Sequence, residues 1–187
     1  MRRSNNGTPP LMPAQVMGER RRVFACRRSW LRLFMRLVCA AAVASVLFGA
    51  VFGLALVRGD SMNPAYRSND LALFFRLGGL NRGDVVILQM DGGRPSKYVK
   101  RIIGLPGDTV DIDGQGSVLV NGTPLDEPYI YAKTQPRPAV EFPLVLGAGE
   151  YFVLGDNRGH SQDSRSFGKV ARRQVNGRVL AVFRVGS

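Results

Sequence analysis

The chain has 187 residues, 45% of them hydrophobic, and a formal net charge of +12, which allows one modest domain with appendages. That charge does not describe a nucleic-acid surface: nine arginines (Arg2, Arg3, Arg20, Arg21, Arg22, Arg27, Arg28, Arg32, Arg36) stand in the first 36 residues against one acid, Glu19, whereas residues 58–187 hold 17 basic and 13 acidic side chains. With one histidine, His160, and two cysteines, Cys26 and Cys39, residues 58–187 lack the His/Cys ligands of a zinc site.

Residues 1–36 are rich in Arg, Pro and Ser and poor in periodic apolar positions. They read as a basic cytoplasmic tail without regular structure. The run Leu37–Val57, "LVCAAAVASVLFGAVFGLALV", has 21 residues and no charge, and a bilayer core takes roughly 20. A buried helix of that length with no polar face does not suit a small domain. A cleaved signal sequence ends on small residues, and here Val57 closes the run. The pattern predicts a single transmembrane helix over 37–57. Basic flanks stay in the cytoplasm. The expected arrangement is therefore single-pass in the inner (plasma) membrane, N-terminus inside and residues 58–187 outside.

After Arg58 the texture changes. "DVVILQM" (84–90), "YVKRIIGL" (98–105), "TVDID" (109–113), "SVLVNG" (117–122), "YFVLGD" (151–156) and "RVLAVFRV" (178–185) are rich in Val, Ile and aromatics, with turn residues between them. "DGQG" (113–116) reads as a hairpin turn. "KTQPRPAVEFP" (133–143), with three prolines, reads as an irregular loop. No helical period of ten or more residues follows Val57. The expected fold class is mainly β, an antiparallel sheet domain behind one N-terminal transmembrane helix.

The chemistry is narrowed by what is missing. There is no G-x-x-x-x-G-K-[ST] loop, no G-x-G-x-x-G and no G-x-S-x-G, so the usual phosphate cradles and the nucleophile elbow are absent. Neither a metal nor a cofactor is expected. "GDSMNP" places Ser61 between a flexible Gly-Asp pair and a Met-x-Pro turn. A serine after Gly-Asp is ordinarily a turn residue. If it is a nucleophile, something must take its proton, and His160 lies in a charged, Gly-flanked loop typical of a surface histidine.

A neutral lysine amine can serve as that base. Free lysine titrates near 10.4, so only about one amine in 2,500 is neutral at pH 7. Burial among apolar groups lowers the value by penalising the charged form. Of the four lysines, Lys100 in "YVKRIIGLPGD" fits. Alternation along a strand puts it on a face with Tyr98 and Ile102, and puts Arg101 on the other with Val99 and Ile103. A strand lysine is more often an edge residue with its head in water. Neither residue persuades alone.

Four blocks occur in order after the apolar run: "GDSMNP", "RGDVVIL", "YVKRIIGLPGD" and "GDNRGHSQDSRSFG". Together they closely resemble the blocks of type I signal peptidases, membrane-bound serine endopeptidases that remove secretory signal peptides. The likeness runs over most of residues 58–185. It implies Ser61 as nucleophile, Lys100 as general base and Ser161 as the residue that orients the lysine amine. It also implies structural ion pairs Arg101–Asp156 and Asp163–Arg165, with Met62 and Pro64 lining shallow pockets for small side chains. The oxyanion hole is expected from the Ser61 N–H, with a second donor at position 59. There this chain departs from relatives that carry a serine, because Gly59 offers no hydroxyl. It departs again at His160-Ser161, where Asn-Ser is usual.

The expected partners are signal-peptide-bearing precursors and the lipid bilayer, not nucleic acid, with a monomeric enzyme. Two rivals stand beside this reading: a specialised Ser-Lys peptidase for one pilus, conjugation or surface protein, and a non-catalytic membrane-anchored peptide-binding module. A self-cleaving Ser-Lys repressor would need a DNA-binding head where this chain has its apolar run.

Overall fold

The computed structural model describes residues 13–90 and 96–184, with side chains for 30–90 and 97–184. The chain divides into two units, residues 1–48 and 49–187. The first is helical. Helix α1 spans Pro13–Val51, and Trp30–Val51 within it is long and apolar enough to cross a bilayer, with mean hydropathy 2.1 and no part of its apolar window buried. Two expectations are corrected. Residues 13–36, expected without regular structure, are helical. Their Arg, Ala, Leu and Met favour helix, and proline is tolerated in a first turn. Residues 1–12 of the expected tail lie outside the described residues. At the other end the helix stops six residues short of Val57.

Those six residues lie in the second unit, which takes in the last turn of α1. Strand β1 (Phe52–Leu56) pairs antiparallel with β2 (Leu71–Phe75). Gly53 permits the pairing, because a Cβ there would lie 2.3 Å from the Phe74 ring. Then come β3 (Val85–Met90), β4 (Ser96–Gly104), β5 (Thr109–Ile112), β6 (Val118–Val120) and β7 (Thr123–Pro124). They are followed by β8 (Leu144–Val145), β9 (Glu150–Leu154), the short helix α2 (Ser164–Phe167), β10 (Val170–Ala171) and β11 (Val175–Phe183). All strand pairs are antiparallel. They form a seven-stranded sheet, β1-β2-β11-β3-β4-β9-β10, and a four-stranded one, β7-β6-β5-β8.

Strand β3 explains the unbroken "VVIL". All four residues are buried because both faces of the large sheet are covered at β3, which removes the need for polar alternation there. Val85 and Ile87 join Ala55, Val57, Met62, Ala72, Phe74 and Val99 in one cluster. Val86 and Leu88 join Ile102, Tyr151, Val153, Val170 and Val175 in another. A third cluster, Ile103, Val110, Val118, Val120, Leu146, Phe152 and Leu154, draws residues from both sheets. Strand β4 lies between β3 and β9, with Lys100 opposite Val86 and Arg101 opposite Val85.

Candidate active site

Three segments meet at the site. The first is the loop after β1. Val57 donates its N–H to the Asp70 carbonyl at 2.8 Å, and Asn69 donates to the Val57 carbonyl at 2.9 Å, closing residues 58–69 into a compact loop. Gly59 takes φ +79°, the left-handed region that favours glycine. Asn63 then donates to the Asp60 carbonyl at 3.1 Å, so Ser61 sits inside a tight turn. The next side chain, Met62, is only 1% exposed and anchors this turn in the core. That corrects the expectation for Met62, which supports the turn from within the core and offers a substrate almost no surface. Pro64 is half-buried.

The second segment is β4. Lys100 is 1% exposed. It shares its side of the strand with Val86, Tyr98 and Ile102. Its Nζ donates to Ser61 Oγ at 2.7 Å and lies 5.8 Å from the centre of the Tyr98 ring. Burial lowers its pKa from an ordinary 10.5 to about 8, against the upward pull of the Asp163 and Asp156 carboxylates. Among the described residues no carboxylate forms a salt bridge with it.

The third segment follows β9. Gly155 packs so closely that a Cβ would fall 2.2 Å from Ser161 Oγ and 2.4 Å from the Ser61 carbonyl oxygen. Asp156, fully buried, accepts two hydrogen bonds from Arg101, Nε at 2.9 Å and Nη2 at 2.6 Å. Such a bidentate fork is geometrically specific. A 3-10 turn over Arg158–His160 leads to Ser161 and then to Asp163, whose carboxylate accepts from Arg165 Nε and Nη2, both at 2.9 Å. Burial would raise the Asp163 pKa, yet the Arg165 guanidinium holds it below the usual carboxylate range. Ser161 Oγ is buried and faces the Asp163 carboxylate, helping to hold its pKa down, and the expected bond to the lysine amine is not formed. His160 is exposed.

Three features had no signal in the sequence. Arg158, 2% exposed, pairs with Glu127 at 2.5 Å, bonds Thr134 Oγ1, and donates Nε to the Gly155 carbonyl at 3.0 Å. The Tyr129 ring stacks on Arg101, with Cζ 4.0 Å from its centre, and the Tyr129 hydroxyl donates to Glu127 at 3.0 Å. Asn157 bonds the turn that carries Ser61, donating its N–H to the Ser61 carbonyl at 3.0 Å and Nδ2 to the Asp60 carbonyl at 3.1 Å. Apart from the local bonds to Gly155 and from Tyr129 to Glu127, these contacts join residues from 24 to 97 positions apart, and no local pattern announces such a pairing. Their donor and acceptor types were visible, and their partners were not.

The described residues thus gather a hydroxyl and a desolvated amine in hydrogen-bond contact, framed by paired charges. That arrangement can activate a serine without histidine. The model of the family described as "Signal peptidase, peptidase S26" matches residues 28–184. The chain belongs to that family. Among its relatives, a probable signal peptidase I-2 of Synechocystis sp. is 36% identical over 165 residues, covering 83% of this chain and 73% of its own. The signal peptidase I S of Bacillus subtilis is 34% identical over 170 residues, covering 84% and 90%. A crystal structure of a signal peptidase I from Enterococcus faecalis V583 is 33% identical, covering 56% of this chain and 99% of that one, with a TM-score of 0.48. Within the matched stretch stand all four blocks singled out in the sequence, Gly59 and His160 included.

Proposed function

We propose that this peptidase is the membrane-anchored serine endopeptidase that removes signal peptides from exported precursors, with Ser61 as nucleophile and Lys100 as general base. The observation that carries the assignment of roles is the 2.7 Å contact between Lys100 Nζ and Ser61 Oγ, made by an amine 1% exposed. At a pKa of about 8, roughly one amine in ten is neutral at pH 7. A neutral amine has a lone pair to accept the Ser61 proton as Oγ attacks the scissile carbonyl. The Ser61 N–H meets the oxyanion that forms. The resulting ammonium then gives its proton to the leaving amine, and water repeats the sequence on the acyl-enzyme. The pairs Arg101–Asp156 and Asp163–Arg165 hold β4 and the turn after β9 in place while neutralising their own charges.

The precursor lies extended against the enzyme as an added strand. Small side chains at the first and third positions before the cut fit shallow pockets, giving an Ala-x-Ala preference, and Pro64 has surface to contribute. Trp30–Val51 anchors the chain in the inner membrane, and the arginines before it keep the N-terminus cytoplasmic. The second unit adds an apolar face. Leu56, Leu71 and Phe183 stand side by side across β1, β2 and β11, next to Leu54 and Leu73. Leu54, Leu56 and Phe183 are 58%, 47% and 54% exposed, a surface suited to rest on lipid. Substrate and enzyme then meet at one membrane surface.

The test uses the full chain in membranes supplied with a labelled precursor. Wild-type protein releases the signal peptide, and Ser61→Ala does not. Cleavage by Ser61→Ala at the wild-type rate overturns Ser61 as the nucleophile, and a wild-type chain that binds the precursor without cleaving it leaves a peptide-binding module in place of the enzyme. Depleting the protein and counting accumulated precursors separates a general enzyme, with many, from a specialist, with one.

A further inference from the structure

The oxyanion site needs an N–H aimed at a point, and in this chain the residue at position 59 brings no hydroxyl to help. The Gly59 N–H is itself occupied, donating to Ser68 Oγ at 3.3 Å. The Ser61 N–H is different. Among the described residues no group of the chain accepts from it. What fixes its direction is the other end of the same peptide unit. The Asp60 carbonyl accepts two hydrogen bonds, from the Asn63 N–H at 3.1 Å and from Asn157 Nδ2 at 3.1 Å. A peptide group is planar and rigid, so holding its oxygen aims its N–H. Hydrogen bonds accepted at the oxygen also polarise the group and make that N–H a stronger donor.

We infer that Asn157 is a positioning residue for the oxyanion site, holding the Asp60–Ser61 peptide so that the Ser61 N–H faces the substrate carbonyl. The inference rests on the proposed Ser-Lys peptidase reading. Two observations set Asn157 apart from an ordinary turn residue. It occupies the cap position before the 3-10 turn Arg158–His160, yet its side chain makes no cap bond. The amide is instead spent on a carbonyl 97 residues away. Asn157 is also held on both sides, because Asp156 is locked by Arg101 and Arg158 by Glu127. Its backbone N–H donates to the Ser61 carbonyl at 3.0 Å, so one residue grips the two carbonyls on either side of the nucleophile's Cα.

The test compares wild type, Asn157→Ala and the near-isosteric Asn157→Asp, which cannot donate. Each full-length protein in detergent is given a peptide with an Ala-x-Ala site. Loss of an oxyanion donor costs about 10²–10³ in rate; loss of its positioning lowers kcat by about 10–100-fold, with KM within about twofold. The pH at which activity rises stays where Lys100 puts it. A peptide aldehyde, whose adduct with Ser61 places an oxygen in the oxyanion site, binds both variants about tenfold more weakly, while the matching peptide alcohol binds as to wild type. Asn157→Asp supplies the result if Asn157→Ala folds poorly. Wild-type kcat and aldehyde affinity in both variants would overturn the inference, as would equal weakening of aldehyde and alcohol. If the wild-type chain itself fails to cleave, the underlying reading is what falls.

Discussion

Lys100 and Arg101 are neighbours in one strand, yet their surroundings are opposite. Arg101 keeps its charge inside a bidentate pair with Asp156, under the Tyr129 ring. Among the described residues Lys100 forms no salt bridge, and its Nζ donates to the Ser61 hydroxyl. The turn after β9 repeats the division: Gly155 packs on Ser161 and Ser61, and Asp156 takes the arginine. The alternation of a strand sorts two cations, one into a matched ion pair and one into a site where its charge is a burden. The proposed base and its brace can then stand one residue apart without the brace's counter-ion fixing the lysine in its charged form.

The largest effect comes from removing the burdened cation. Lys100→Met lowers kcat/KM by roughly 10³-fold or more, measured on the same labelled precursor. It also changes stability in a direction that a structural lysine would not. The folded pKa lies below the ordinary one, so the unfolded chain binds more protons between about 8 and 10.5, and stability rises with pH across that window. Below about 8 the fold carries the whole penalty, ~3 kcal/mol. Lys100→Met is therefore as stable as wild type or more so at pH 7, and its denaturation midpoint loses the alkaline rise. In wild type, activity climbs as pH rises through about 8, when the amine gives up its proton.

Next comes Gly155→Ala. The added methyl meets Ser161 Oγ at 2.2 Å and the Ser61 carbonyl at 2.4 Å. Displacement of Ser61, the proposed nucleophile, lowers kcat about 10²-fold, checked in single-turnover cleavage. On the other side of the strand the signature reverses. Asp156→Asn unpairs a guanidinium 15% exposed and lowers unfolding free energy by about 3 kcal/mol, while kcat stays within about tenfold of wild type. If Asp156→Asn were instead as inactive as Lys100→Met and fully stable, the division between base and brace would be wrong. The smallest effect is at His160, which is exposed. His160→Asn leaves stability within about 0.5 kcal/mol and cleavage within twofold, which a Ser-His mechanism forbids.

The strands that carry this division were legible because β-branched residues fill them: all of "DVVILQM" but Asp84 is β3, and "YVKRIIG" lies within β4. Lys100 was legible for the same reason, as a charge inside an apolar alternation. Strand β1 was hidden because its "FGLAL" continues an apolar run whose earlier part is helical, and hydropathy alone does not separate the two. Strand β2, "LALFF", lacks polar alternation, since three of its residues are half-buried and two buried. Strands β7, β8 and β10 have two residues each, too few for any period to register. The site's frame was the least legible part. Glu127 and Thr134 reach Arg158 from an irregular segment, and only the folded chain brings them there.

The two partners of the proposed dyad are mounted differently. Ser61 rides a loop pinned by Met62 and a few backbone bonds, whereas Lys100 sits mid-sheet between two buried strands. Thermal breathing opens loops at far lower free energy than it opens a central strand. Any adjustment during turnover is therefore expected of the Ser61 loop rather than of the strand that carries Lys100.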